Sequence, residues 1–286
     1  MKWSPPIKLE EPFDRDYSTL LELVSNLIEV PAGQTIPTGS EWLNDAQALS
    51  IKLFQHLYAI AALANGQTYS FKKFSILFID HSSIKVLARA AFETYLIFSY
   101  IYGNSHPSVS RFRHKTWELG GLIDRQKFPA TNPTHIKIVE QEKEIVQKLR
   151  NDISKDTNFV SLKPDIQKKI LQGSWRTGKT WADLAEDAGV HKKYFKHIYR
   201  YLSEYSHSGY GSALQIAQSS SFEDQVLLTK SIIGIGCVIM AHFIATFPKV
   251  FIEAANEIEK NPIAKAIHEK WHFTTSDMAQ LYGDPN

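Results

Sequence analysis

Apolar residues recur at helical spacing almost from the start of the chain. Tyr17, Leu20, Leu21, Val24, Leu27 and Ile28 fall on one face of a helix over 14–30. The segment PAGQTIPTGS, 31–40, ends that helix with prolines and glycines. Ser40 is placed to cap a second helix that runs to about Ala64 and stops at Asn65-Gly66. From Ser70 to Tyr102 the pattern predicts another long helix. Its centre, HSSIKVLARAAFETYLIFSYIY, is apolar nearly all round and so belongs in a core. Shorter helices are predicted near 109–127, 133–151, 164–172, 180–188 and 191–206, then over 222–247, 248–260 and 262–271. No run alternates apolar and polar positions between turn signals, so no sheet is predicted. The expected fold class is all-α: an N-terminal helix and linker over 1–40, a helical domain over 41–272, and a flexible tail over 273–286.

Composition narrows the setting. With 43% hydrophobic and 22% charged residues the chain reads as a globular protein able to bury a large core. A net charge of +2 gives no global attraction to nucleic acid or to an anionic membrane, so any such attraction has to be local. The one cysteine, Cys237, lies in an apolar run and allows no intrachain disulfide, which fits a reducing compartment. The N-terminal MKWSPPIKLEEPFD has no apolar stretch of a secretory signal, and a cytoplasmic location is expected. Ser231–Phe247 is uncharged and apolar, but at 17 residues it falls short of the roughly 20 that cross a bilayer. It is expected to be a core helix, with no membrane partner.

Two motifs invite a functional reading, and the first of them fails on context. Gly173-Ser174-Trp175-Arg176-Thr177-Gly178-Lys179-Thr180 fits the phosphate-loop pattern GxxxxGK[ST]. That loop needs a buried strand feeding it, and PDIQKKILQ before it has a polar, helical pattern. The stretch TWADLAEDAGVHKKYFKHI resembles a helix-turn-helix, with Gly189 at the turn. In that arrangement His191, Lys192, Lys193, Lys196 and His197 would face DNA, an alternative reading of the function. No HExxH motif or cysteine pair suggests a metal site, and no cofactor is expected.

The densest run of reactive side chains is RYLSEYSH, 200–207. On a continuous helix Arg200 and His207 share a face, about 10 Å apart by helical rise. Histidine moves protons near neutral pH, and arginine stabilises charge on a phosphate, so the pair suits phosphodiester cleavage without a metal. Tyr201, Ser203, Glu204 and Ser206 lie between them; Glu204 is spaced to pair with Arg200, and Ser203 with His207. The plainer use of the same residues is structural, with His207 at the helix C-terminus and Arg200 bridging Glu204. Arg89 and Glu93, four apart on the apolar helix, either satisfy one another or orient His207 or Arg200.

With six residues between Arg200 and His207, this run matches the R-x4-6-H signature of HEPN domains. RAAFE and the block from Trp181 to His207 also resemble a bacterial family of unknown function counted as HEPN-like. The resemblance covers about 80–220 and implies a helical bundle with additional N- and C-terminal helices. It also implies a homodimer whose two motifs share a cleft. Many such proteins are metal-independent endoribonucleases of stress or defence systems, and others bind a nucleotide, RNA or a protein partner without catalysis. By this resemblance Arg200 holds the scissile phosphate and His207 moves the proton as the ribose 2′-hydroxyl attacks. Active members commonly carry Asn, Asp or His directly after the arginine, where this chain has Tyr201.

Overall fold

The computed structural model describes residues 12–283. They form two compact units, one holding the chain up to Ser99 and again from Ala185, the other holding Tyr100–Leu184.

The first unit opens with α1 (Pro12–Glu29) and α2 (Leu43–Ala64), which Asn65 and a left-handed Gly66 end as expected. Two short antiparallel strands follow, β1 (Gln67–Ser70) and β2 (Ser75–Phe78), with Gln67 opposite Phe78 and Ser70 opposite Ser75. The hairpin corrects two expectations, that of no sheet and that of a helix beginning at Ser70. Strands of four residues, all exposed but the half-buried Phe78, are too short to print a period-two pattern on the sequence. The rings of Phe71 and Phe74 stack across the turn with centres 4.5 Å apart. α3 (His81–Tyr102) begins only after Asp80, whose side chain accepts from the Ser83 N–H at 2.9 Å.

The second unit follows from the last turn of α3 with α4 (Pro107–Arg125), α5 (Pro133–Ser154), α6 (Thr157–Val160), α7 (Pro164–Leu171) and the start of α8 (Trp181–Asp187). Proline stands in the first turn of α4, α5 and α7, where its missing N–H costs nothing. Phe112, Leu119, Leu149, Ile153, Phe159 and Ile170 form this unit's core.

The chain then returns to the first unit with α9 (Lys192–Ser206), α10 (Tyr210–Gln218), α11 (Phe222–Thr246), α12 (Ala255–Lys260), α13 (Pro262–Trp271) and α14 (Thr275–Tyr282). Two 3-10 turns, Phe247–Lys249 and Ile252–Ala254, occupy the start of the helix expected over 248–260. Pro248, in the first of these turns, has no N–H to continue an α-helical ladder.

α11 is the centre of this unit. It is long and apolar enough to cross a membrane, yet 72% of its apolar window is buried within the protein. α1 lies against it so closely that a Cβ on Gly236 would come within 2.5 Å of the Tyr17 ring. The Tyr17 hydroxyl donates to the Leu57 carbonyl at 2.8 Å, and buried Asp16 accepts from Trp271 Nε1 at 2.8 Å and from Lys270 Nζ at 2.7 Å.

The expected flexible tail over 273–286 is corrected for its described part. α14 is a capped helix, with a reciprocal box between Thr274 and Asp277. It is fastened to α9: Lys193 Nζ donates to the Tyr282 carbonyl at 3.2 Å, and His191 Nε2 to the Gly283 carbonyl at 2.9 Å. Where α11, α13 and the start of α14 meet, three imidazoles gather. The buried His242 ring lies 4.7 Å from that of His272, which stacks on His268 at 5.4 Å. Their nitrogens serve backbone: His242 Nε2 is 3.0 Å from the Phe273 carbonyl and His268 Nε2 is 3.1 Å from that of Ala241. Burial and the neighbouring His272 push the His242 imidazole down to about 4.

Candidate functional site

Four polar side chains lie at steps of four along α3: His81, Lys85, Arg89 and Glu93. Four residues are just over one helical turn, so the four make a slowly winding stripe on an otherwise apolar helix. α9 faces this stripe with Tyr199 and Tyr205, six residues apart, and ends at His207. Two clusters result, one buried and one open to solvent.

In the buried cluster Lys85 is wholly inaccessible. Its Nζ donates to the Tyr205 hydroxyl at 2.8 Å and to His81 Nδ1 at 3.1 Å, and lies 4.0 Å from the centre of the Tyr205 ring. An ammonium can only donate, so His81 Nδ1 accepts and its Nε2–H is left to bond Ser219 Oγ, 2.9 Å away. Tyr205 in turn donates to Gln215 of α10. Every partner in this chain is neutral, and burial pushes the Lys85 ammonium down to about 8. Burial and the Lys85 charge, against Asp80, hold His81 below its ordinary value.

This arrangement has a measurable cost. Replacing Lys85 by methionine is expected to raise the thermal midpoint at pH 7 by an equivalent of roughly 1–3 kcal/mol, as apolar replacement of uncompensated buried charge often does. The lowered value sets the sign: the penalty is complete below pH 8 and fades as pH rises towards 10.5, so the gain should shrink when the same melts are run at pH 9.5. A lower midpoint at pH 7 would mean that the aromatic and hydroxyl partners fully compensate the charge.

The open cluster is built on Arg89. Its Nε donates to Glu93 Oε1 at 3.0 Å, Nη2 to the Tyr199 hydroxyl at 3.0 Å, and Nη1 to Nε2 of His207 at 3.0 Å. Tyr199 closes the ring by donating to Glu93 Oε1 at 2.7 Å. Partial burial pulls the guanidinium down, but the bonds and charges of Tyr199 and Glu93 outweigh it and hold Arg89 above its ordinary value. Because arginine has no acceptor, the imidazole of His207 must accept at Nε2 and carry its proton on Nδ1.

His207 reaches this position through the way α9 ends. It is the first residue past the helix, with its N–H bonded to the Ser203 carbonyl at 3.1 Å. Ser208 turns left-handed at φ 51°, and the Gly209 N–H returns to the Glu204 carbonyl at 2.8 Å. That is the closure of a Schellman end, and it leaves the His207 ring exposed. The Glu204 carboxylate lies over Gly209, where a Cβ would stand 2.0 Å from Oε2.

Not all of the expected site residues meet. Arg89 and Glu93 join His207, one of the two arrangements expected of them. Arg200 is exposed and has no hydrogen-bond or ion-pair partner among the described residues, so the expected pairing with Glu204 is not made. Ser203 Oγ donates to the Tyr199 carbonyl at 2.6 Å and Ser206 Oγ to that of Leu202 at 3.4 Å, so both hydroxyls serve the helix backbone. Tyr201 turns towards the buried cluster, 3.5 Å from Gln215 Oε1. Neither the buried role of Lys85 nor the bond of Tyr199 to Arg89 shows in the sequence. The repeat of polar residues every fourth position on α3 was the available signal for Lys85.

The structure also places the two motifs. The phosphate-loop letters follow helix α7, and Thr180 caps α8 by exchanging hydrogen bonds with Asp183. In the helix-turn-helix reading His191 is buried against Gly283, and Lys192 pairs with Glu186 at 2.8 Å. Of its five groups, Lys196 and His197 remain exposed.

Fold and site together define a predominantly helical protein with an exposed histidine braced by an arginine, a glutamate and a tyrosine. The chain belongs to DUF5677, a family of unknown function, whose model matches residues 48–225 and so takes in α3 and α9 with both clusters. No curated protein and no solved structure matches the chain.

Proposed function

We propose that the chain is a HEPN-like, metal-independent endoribonuclease of a stress or defence system. The observation that carries the reading is the exposed His207 imidazole with Nε2 held at 3.0 Å by Arg89. In this reading bound RNA draws Arg89 from Nε2 to the scissile phosphate, and the freed Nε2 of His207 takes the 2′-hydroxyl proton as that oxygen attacks the adjacent phosphorus. The P–O5′ bond breaks, the leaving oxygen takes up a proton, and a 2′,3′-cyclic phosphate remains. Arg89 and the unpartnered Arg200 supply positive charge to the phosphate oxygens. A homodimer and a cytoplasmic location belong to the same proposal.

The test is incubation of the full chain with mixed RNA in EDTA, beside Arg200→Ala and His207→Ala. Cleavage that resists EDTA, ends in cyclic phosphates and disappears with His207→Ala supports the enzyme. Intact RNA that is nevertheless bound points to a non-catalytic RNA-binding module. Light scattering in the same buffer tests the dimer.

A further inference from the structure

Away from both clusters, a pocket of about 450 Å3 opens between α9, α11, α13 and α14. Ile198, Val238, Phe273, Met278 and Leu281 give it apolar walls, and Trp271 forms part of its side. Three of its five polar side chains are already engaged. Asp277 Oδ2 accepts from the N–H and hydroxyl of Thr274, Ser231 Oγ donates to the Leu228 carbonyl, and Trp271 Nε1 is bonded to Asp16. Tyr194 and Tyr282 also line the pocket, and neither hydroxyl has a hydrogen-bond partner among the described residues. No lysine or arginine lines it, and its one acidic side chain is that of Asp277.

Gly234 is the second observation. It stands within α11, where glycine is the least helix-favouring residue short of proline. Gly236, two positions on, has a packing reason in the Tyr17 ring. Gly234 has none: its φ is not left-handed, and a Cβ there would meet the Trp271 ring at an ordinary 3.7 Å. What the missing side chain leaves is open volume on the pocket wall.

We propose that this pocket binds one molecule of an uncharged, ring-bearing, largely apolar compound of roughly fifteen to twenty non-hydrogen atoms that takes a hydrogen bond from Tyr194. The volume suits a ligand of that size, the ringed walls suit a flat apolar body, and the acidic, cation-free lining disfavours an anion. Such a ligand would touch α9 and α14 together and clasp the final helix to the helix that carries His207. The inference does not rest on the proposed nuclease activity.

The neutral fluorophore N-phenyl-1-naphthylamine serves as the probe, titrated into the full chain while its emission is followed. One saturable site of micromolar affinity is expected. Gly234→Leu, which fills the space, should weaken binding at least tenfold while leaving the far-ultraviolet circular dichroism unchanged. Gly234→Ala has room to fold and should give a smaller loss, and Tyr194→Phe should weaken a hydrogen-bonding probe such as 1-naphthol more than it weakens naphthalene. The sulfonated analogue 8-anilinonaphthalene-1-sulfonate should bind at least tenfold more weakly than the neutral probe. Absence of saturable binding, binding undiminished in both Gly234 variants, or preference for the sulfonate would overturn the proposal.

Discussion

Alanine at His207 is expected to slow RNA cleavage in EDTA by two orders of magnitude or more, the usual scale for losing a general acid or base. Alanine at Arg89 should cost nearly as much, because that guanidinium fixes the ring that moves the proton. The two losses should add only in part: with the imidazole gone, Arg89 has no ring to orient and keeps only its charge on the phosphate, so the double variant should fall well short of the product of the two losses. Arg89→Lys should fail to rescue, since an ammonium lacks the planar fork that serves Glu93, Tyr199 and His207 from three different nitrogens. Arg200→Ala should behave differently, raising KM and flattening the salt dependence, because its exposed side chain meets the substrate and not the imidazole. Single-turnover rates for the four variants and the double variant decide it. Strictly multiplicative losses for Arg89 and His207 would show that the two groups act independently.

Acid is expected to destabilise the first unit through its imidazole cluster. His242 is pushed down to about 4 by burial and by His272, while an unfolded chain binds that proton near 6.5. The unfolded state therefore takes up the proton first. The stabilising contribution is complete above about pH 6.5 and is lost as pH falls towards 4. At pH 5 the loss from this group alone should be about 2 kcal/mol. His268 is lowered by burial and by His272; His272 is lowered by burial and by Lys249, with Asp277 opposing; both add in the same direction. Urea unfolding at pH 7.5 and pH 5 tests this in the wild type and in His242→Gln, whose amide can still donate to the Phe273 carbonyl. The variant should lose about 2 kcal/mol less between the two pH values; an equal loss would assign the acid sensitivity elsewhere.

Much of the helical order was legible because its signals are local. Asn65-Gly66, the proline starts of α5, α7 and α13, and the unbroken apolar run of α11 each act within a few residues of the boundary they set. The hairpin was hidden because four residues per strand leave no periodic trace. α10 was hidden too, a nine-residue helix opening on Gly209-Tyr210 with no side-chain cap to announce it. The site was half legible for the same physical reason. Spacing along α9 brought out Arg200 and His207, which are neighbours in sequence. The arginine that bonds the imidazole lies 118 residues away, and no pattern along one helix fixes contact with another. The stranded charges of α3 did reveal that its apolar face had been interrupted for a partner.

The interruption of the first unit by residues 100–184 bears on how the protein is made. A ribosome delivers α1, α2 and α3 long before α9 and α11, so the nascent N-terminal third has no Tyr199, Tyr205 or His207 to meet. Until those residues emerge, Lys85 and Arg89 keep their hydration, and the apolar faces that α11 will cover stay bare. The middle segment carries its own core and is free to collapse first. Synthesis therefore leaves a waiting interval of at least eighty-five residues, during which a holdase has its best opportunity to capture the chain.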